Sequence, residues 1–158
     1  MIYILIGVIA LILDQVTKHF AIVNLKGTNS IEVIKDYLYF TYLENRGAAF
    51  GFLNQFPIIF TILASLFVIF MSIYLLKNYN KIDRIYQLGF IMMIVGALGN
   101  LIDRIRFGFV VDFIFSPLGG LYDFPVFNLA DVYLTLTAIL LFIYAFLFDK
   151  DNKSENVK

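Results

Sequence analysis

The chain has 158 residues, 61% of them hydrophobic and only 15% charged, with a mean hydropathy of +0.84. A soluble domain is nearer half apolar and a quarter charged, so this is the composition of a single integral membrane domain. Basic and acidic residues cancel at 12 each, which leaves no basic surface for nucleic acid; the lack of cysteine excludes thiolate and disulfide chemistry, and one histidine, His19, cannot build a histidine-rich metal centre.

Residues 2–24 read as the first span. Met1 to Leu13 is apolar but has neither the basic start nor the small-residue cleavage site of a secretory signal. Polar residues enter only in the far half, at Asp14, Thr17 and Lys18. At 1.5 Å per residue Asp14 lies about 20 Å along the axis, in the distal third of a ~30 Å hydrocarbon layer. Lys18 shares its face at i, i+4 spacing, which suits an internal ion pair or a rim for substrate.

Residues 25–56 form the longest polar interval. Gly27-Thr28-Asn29-Ser30 is a turn, and Ile31 to Ile34 and Leu38 to Leu43 read as short strands. Their aromatic content suits a small sheet resting on the membrane surface better than a solvated loop. Residues 57–76 make an apolar second span with Pro57 in its first turn. A link at 77–84 carries Lys77, Lys81 and Arg84, spans follow at about 86–106 and 130–148, and a charged tail, 149–158, is expected to be mobile. The expected fold is therefore an all-α membrane protein: four transmembrane helices with a small extracytoplasmic β-sheet between helices 1 and 2. Basic residues concentrate in the 77–84 link and the tail, so the positive-inside tendency puts both termini in the cytoplasm.

That topology sets the depth of the acids. Asp103 lies about 26 Å beyond Tyr86, and Asp131 about 26 Å from Phe148. Both come to the outer boundary, as Asp14 does, with Asp112 in the outer connection between them. A carboxylate at the edge of hydrocarbon is costly and is functional by default.

Asp112, in Val110-Val111-Asp112-Phe113, and Asp131, in Phe127-Asn128-Leu129-Ala130-Asp131, are the candidate catalytic pair. Two carboxyls a few ångströms apart do not both ionise readily, so one keeps its proton while the other activates water. That division of labour is what aspartic peptide-bond hydrolysis requires, and it needs no cysteine, histidine, metal or other cofactor. From spacing alone the alternative stays open that both acids cap helix ends facing headgroups. Asn100, Asp103 and Arg104 cluster at a helix end, suiting a supporting network. Asn128, three residues before Asp131, suits both capping and orienting a carboxylate. Asn45 and Arg46 precede Gly47-Ala48-Ala49, where small side chains would admit a bound chain, though from the residues alone an ordinary turn between the sheet and the second span is the better reading. Gly96 and Gly99 suit helix packing.

These blocks together resemble bacterial lipoprotein signal peptidase (signal peptidase II), a family of aspartic membrane peptidases. The resemblance rests on Asp14-Gln15-Val16-Thr17-Lys18, Glu44-Asn45-Arg46-Gly47-Ala48-Ala49-Phe50, Gly99-Asn100-Leu101-Ile102-Asp103-Arg104 and the two aspartate blocks, all in the family's order. It implies that Asp112 and Asp131 are catalytic and that Asp14, Asn45, Asn100, Asp103, Arg104, Asn128 and Ala130 line or support the site, with Arg46 and Gly47 carried on the Asn45 block. It implies a substrate, a prolipoprotein bearing a diacylglyceryl group on its lipobox cysteine, cleaved just before that cysteine. It further implies inhibition by cyclic peptides such as globomycin and a bacterial cytoplasmic membrane location with the site at the extracytoplasmic face; a monomer in contact with membrane lipids is expected. A proton-coupled transporter would string carboxylates across the full thickness, whereas here the cytoplasmic half of each span is apolar. A non-enzymatic assembly factor would use the acids only as rims.

Overall fold

The computed structural model describes residues 2–47 and 57–155, with side chains through residue 147 apart from Pro57. Four helices are long and apolar enough to cross a membrane: α1 (Ile2–Asn24), α2 (Pro57–Asn78), α3 (Arg84–Phe107) and α4 (Leu129–Glu155). Strands β1 (Ile31–Ile34) and β2 (Leu38–Asn45) lie between α1 and α2, where the sheet was expected. The connection from α3 to α4 adds β3 (Val110–Ser116) and β4 (Phe124–Phe127), completing a four-stranded antiparallel sheet in the order β1-β2-β3-β4. Half the sheet thus comes from a segment read as mere connection. Its alternation is hidden, because β3 is apolar on both sides of Asp112 and reads like the end of a span.

α3 is the central helix and packs on the other three. Small residues permit this: a Cβ at Gly89 would meet Leu141 of α4 at 2.6 Å, and one at Gly96 would meet the Ala130 carbonyl oxygen at 2.7 Å. Helices in lipid associate through such close approaches, because apolar burial gains little there. α1 turns a stripe of Gly7, Ala10, Asp14, Lys18 and Ala21 inward, while Ile2, Ile9, Leu13, Val16 and Phe20 face outward. The helix is inside-out relative to a soluble one, with its charges in the protein and its large apolar residues toward lipid. α2 is the outlier, exposing Ile58, Leu66, Phe70 and Leu76 along its length. Tyr74 is fixed edge-on to Phe90 of α3, the ring centroids 5.4 Å apart.

Two local devices bring the chain from α3 to the site. Gly108 ends α3 in the left-handed region (φ 78°), its N–H donating to the Arg104 carbonyl at 3.0 Å. The chain then reverses into β3, whose Val111 and Phe113 bury against Ala21 and Leu25 beyond the middle of α1. Alternation along the strand turns Asp112 to the opposite face. There β2 runs beside it with Leu43 opposite Asp112 and Asn45 opposite Val110.

Candidate active site

The C-terminal halves of α1 and α3, the N-terminal end of α4 and the adjoining ends of β2 and β3 enclose a buried polar cluster. Asp14, Lys18, Asn100, Asp103, Asp112 and Asn128 are all buried, most of them completely. Every buried side-chain nitrogen and oxygen among the described residues has a hydrogen-bond partner. A cluster in low-dielectric surroundings persists only when satisfied in this way.

Asn128 is the hub. It is the N-cap of α4, its Oδ1 accepting from the Asp131 N–H at 3.1 Å while Asp131 Oδ2 accepts from the Asn128 N–H at 3.2 Å. This reciprocal pair is a capping box that fixes the Asp131 rotamer. The Asn128 Nδ2 group donates to Asp112 Oδ1 at 2.6 Å and to Asn100 Oδ1 at 3.1 Å. Asn100 Nδ2 in turn donates to Asp131 Oδ1 at 2.8 Å. Both carboxylates are therefore tied to one pair of amides. The remaining Asp112 oxygen, Oδ2, accepts from Asn45 Nδ2 at 2.8 Å, and Asn45 Oδ1 accepts from the Gly47 N–H at 3.1 Å, which fixes the amide's orientation.

Burial, and after it the charge of Asp131, push the Asp112 carboxyl from 3.8 up to about 7. Hydrogen bonds from Asn45 and Asn128 and the charge of Lys18 act against that rise. An acid near neutrality beside a second carboxylate is equipped for proton transfer at physiological pH.

A second layer holds this pair. Lys18 Nζ reaches Asp14 Oδ2 at 3.0 Å, Asp103 Oδ2 at 3.1 Å and Asn100 Oδ1 at 2.9 Å. Asp14 Oδ1 accepts from the Ala130 N–H at 2.9 Å, and Asp103 Oδ2 from the Val111 N–H at 3.1 Å. Gln15 Nε2 lies between Asp14 Oδ2, the Gly99 carbonyl and Asp103 Oδ1.

Residues 6–147 match the family model described as signal peptidase (SPase) II. The chain belongs to the signal peptidase II family. Relatives named lipoprotein signal peptidase include one from Clostridium tetani, 44% identical over 89% of this chain and 90% of the relative. Another, from Clostridioides difficile, is 42% identical over 97% of this chain and 100% of the relative. A solved bacterial membrane enzyme superposes with a TM-score of 0.84 at 40% identity, covering 96% of this chain and 90% of that one. A multi-pass membrane peptidase is thus the class of protein in which the polar cluster sits.

Within this signal peptidase II fold, Asp14, Asn45, Gly47, Asn100, Asp103, Asp112, Asn128, Ala130 and Asp131 lie together in one hydrogen-bonded cluster. Arg46 does not join them: its side chain is 61% exposed, pairs with Glu44 at 3.3 Å and lies over the Phe109 ring. Arg104 is half-buried on the same helix end, its guanidinium 6.0 Å from the centroid of Phe60 on α2. It makes no ion pair among the described residues. Ala48 and Ala49 lie outside the described residues.

Three members escape a reading of the sequence. Lys18 reads as half of a helical pair, yet it serves three acceptors. Gln15 lies between two acids that only the meeting of α1 and α3 brings together. Gly99 reads as packing, but a Cβ there would come within 2.5 Å of Asp14 Oδ2 and 3.3 Å of the Ala130 methyl. It is the gap through which Asp14 reaches α4. The signal for Lys18 and Gln15 was present in the Asp14 block; the geometry that gives it meaning was not.

Proposed function

We propose that this chain is an aspartic endopeptidase that removes the signal peptide from diacylglyceryl-modified prolipoproteins, cutting just before the lipidated cysteine. The observation that carries the reading is that one buried amide, Asn128, is hydrogen-bonded to the side chain of Asp112 and, through the α4 capping box, to Asp131. The ionised member takes a proton from water, whose oxygen bonds to the scissile carbonyl carbon. The protonated member donates to that carbonyl oxygen, giving a gem-diol; the aspartate that took the water's proton then passes it to the leaving nitrogen as the C–N bond breaks, and the other recovers a proton from a gem-diol hydroxyl as the C=O bond re-forms. The two ionisations belong to the pair rather than to either residue. Asn45, Asn100, Asn128 and the Ala130 backbone hold the pair, with Asp14 and Asp103 behind them. Arg104, which makes no ion pair among the described residues, is available to a substrate carbonyl.

The location of the cluster supports the substrate class. It sits at the end of α3 remote from the basic 77–84 link, and the positive-inside tendency supports a site at the extracytoplasmic face with both termini in the cytoplasm. A precursor anchored by two acyl chains presents its scissile bond at that edge of the hydrocarbon, and a cyclic peptide such as globomycin that mimics it would occupy the same place.

The test is incubation of the purified protein with a diacylglyceryl-modified precursor. Asp112→Asn and Asp131→Asn each abolish cleavage while leaving membrane insertion intact, and chelators leave the wild type unaffected. A purified variant that processes precursor at near wild-type rate overturns the dyad.

A further inference from the structure

Two main-chain contacts share a geometry that the dyad by itself does not need. The N–H one residue ahead of Asp131, that of Ala130, donates to Asp14; the N–H one residue ahead of Asp112, that of Val111, donates to Asp103. Those two carboxylates converge on the same ammonium, Lys18, at 3.0 and 3.1 Å. The third proton of Lys18 goes to Asn100 Oδ1. A lysine has no acceptor, so this bond forces Asn100 to turn its Nδ2 toward Asp131. The three donors of Lys18 thus meet three acceptors, and its side chain is only 2% exposed.

We propose that Lys18 is a positioning residue that sets the separation of Asp112 and Asp131, by clamping the backbone ahead of each through Asp14 and Asp103 and by orienting Asn100. The proposal rests on the reading of Asp112 and Asp131 as the catalytic pair. Stability alone is a weak reason to keep such a group, since a buried ion pair often does no better than a well-packed apolar replacement. What an apolar side chain cannot do is hold two carboxylates from different helices at one point. Without Lys18, Asp14 and Asp103 repel each other at the junction of α1 and α3. The start of α4 and the start of β3 are then free to drift apart, each carrying its aspartate.

The charged groups around the pair are Lys18 and Asp14 on α1 and Asp103 and Arg104 on α3. Losing Lys18 changes the field at both aspartates in the same sense, which moves the whole pH profile. The spacing of its two limbs reports something else, the mutual repulsion of the pair. For a drift of about 2 Å that spacing narrows by about half a pH unit or more at an effective dielectric constant of about 20.

The experiment measures kcat/KM against pH for the full-length wild type and Lys18→Met, with a diacylglyceryl-modified precursor peptide. The expected result is a maximum at least tenfold lower together with a narrower bell. A loss below tenfold, or a larger loss with unchanged width, overturns the proposal; the second outcome marks a smaller active fraction and no more. If Lys18→Met does not accumulate in membranes, Asp103→Ala, which removes the acceptor of both Lys18 and the Val111 N–H, is measured in its place. It releases the β3 end alone, so a narrowed bell supports the clamp and an unchanged width overturns it. Failure of the underlying reading looks different: Asp112→Asn would then retain cleavage, or the wild type would lack a two-limbed profile.

Discussion

Replacing Asp112 by Asn should make the protein more stable with rising pH, relative to wild type, while abolishing cleavage. The carboxyl is raised from 3.8 to about 7, first by burial and then by the charge of Asp131. For an acid raised in the folded state the sign is the reverse of a salt-bridged one. Ionisation costs stability: the cost is absent well below the unfolded value, grows as pH rises and is complete once pH exceeds the folded value. With these two values the cost is about 2 kcal/mol at pH 5 and about 4 kcal/mol at pH 8. Asp112→Asn has no such proton to lose. Its amide does turn one N–H toward the donors Asn45 or Asn128, but that penalty does not depend on pH and cancels in the comparison. Between pH 5 and pH 8 the variant therefore gains about 2–3 kcal/mol on the wild type, a relative rise in Tm of about 5–10 °C for a chain of this size. Thermal unfolding of both proteins in the same detergent at both pH values reads this difference. A Tm difference that is constant with pH, or that moves toward the wild type, refutes the assignment of a buried, raised acid at Asp112.

Further outcomes follow from single contacts. Asn128→Ala deletes the α4 cap, costing about 1 kcal/mol, and the bond to Asp112, costing about 1.5–3 kcal/mol when the acceptor is charged; thermal unfolding should show the loss and precursor cleavage should fall by about 100-fold. Gly99→Ala puts a methyl 2.5 Å from Asp14 Oδ2, so Asp14 must leave the Ala130 N–H; cleavage should drop at least about tenfold with insertion unchanged, as measured on isolated membranes. Asn45→Ala removes a hydrogen bond that holds Asp112 down, and the pH–rate profile of the pair should move to higher pH. Arg46→Ala, its immediate neighbour, removes an exposed side chain paired only at the surface and should leave both rate and profile within about twofold.

The spans were legible because hydropathy along a helix needs no knowledge of partners. The twenty apolar positions from Pro57 to Leu76 announce α2 by themselves, and Asp14, Asp103 and Asp131 fall at one depth by counting residues. The strands β1 and β2 could be read because polar turns bound them. β3 could not: Val110-Val111-Asp112-Phe113-Ile114-Phe115 is buried on one face against α1 and on the other in the polar cluster, so nothing alternates. Nor could Lys18 be weighed correctly. Its i, i+4 relation to Asp14 is visible, whereas its contacts with Asn100 and Asp103 depend on how α1 and α3 cross. Arg46 shows the opposite limit: it adjoins Asn45, yet just past the end of β2 its side chain goes out to Glu44.

The choice of donors around the pair has a physical logic. Asp112 is met by the amides of Asn45 and Asn128, and Asp131 by the amide of Asn100 and the backbone of Asn128. Among the described residues no cation touches either carboxylate. A lysine or arginine in direct contact, worth about 4 kcal/mol at 4 Å and an effective dielectric constant of 20, would favour the doubly ionised pair and remove the shared proton on which acid and base roles depend. Amides orient the carboxylates without supplying that charge. Lys18, the one buried ammonium among the described residues, pairs with Asp14 and Asp103 instead and meets Asp131 through Asn100. Asn100 therefore separates charge as well as donating a hydrogen bond: its Oδ1 takes the Lys18 ammonium on one side and its Nδ2 meets Asp131 on the other.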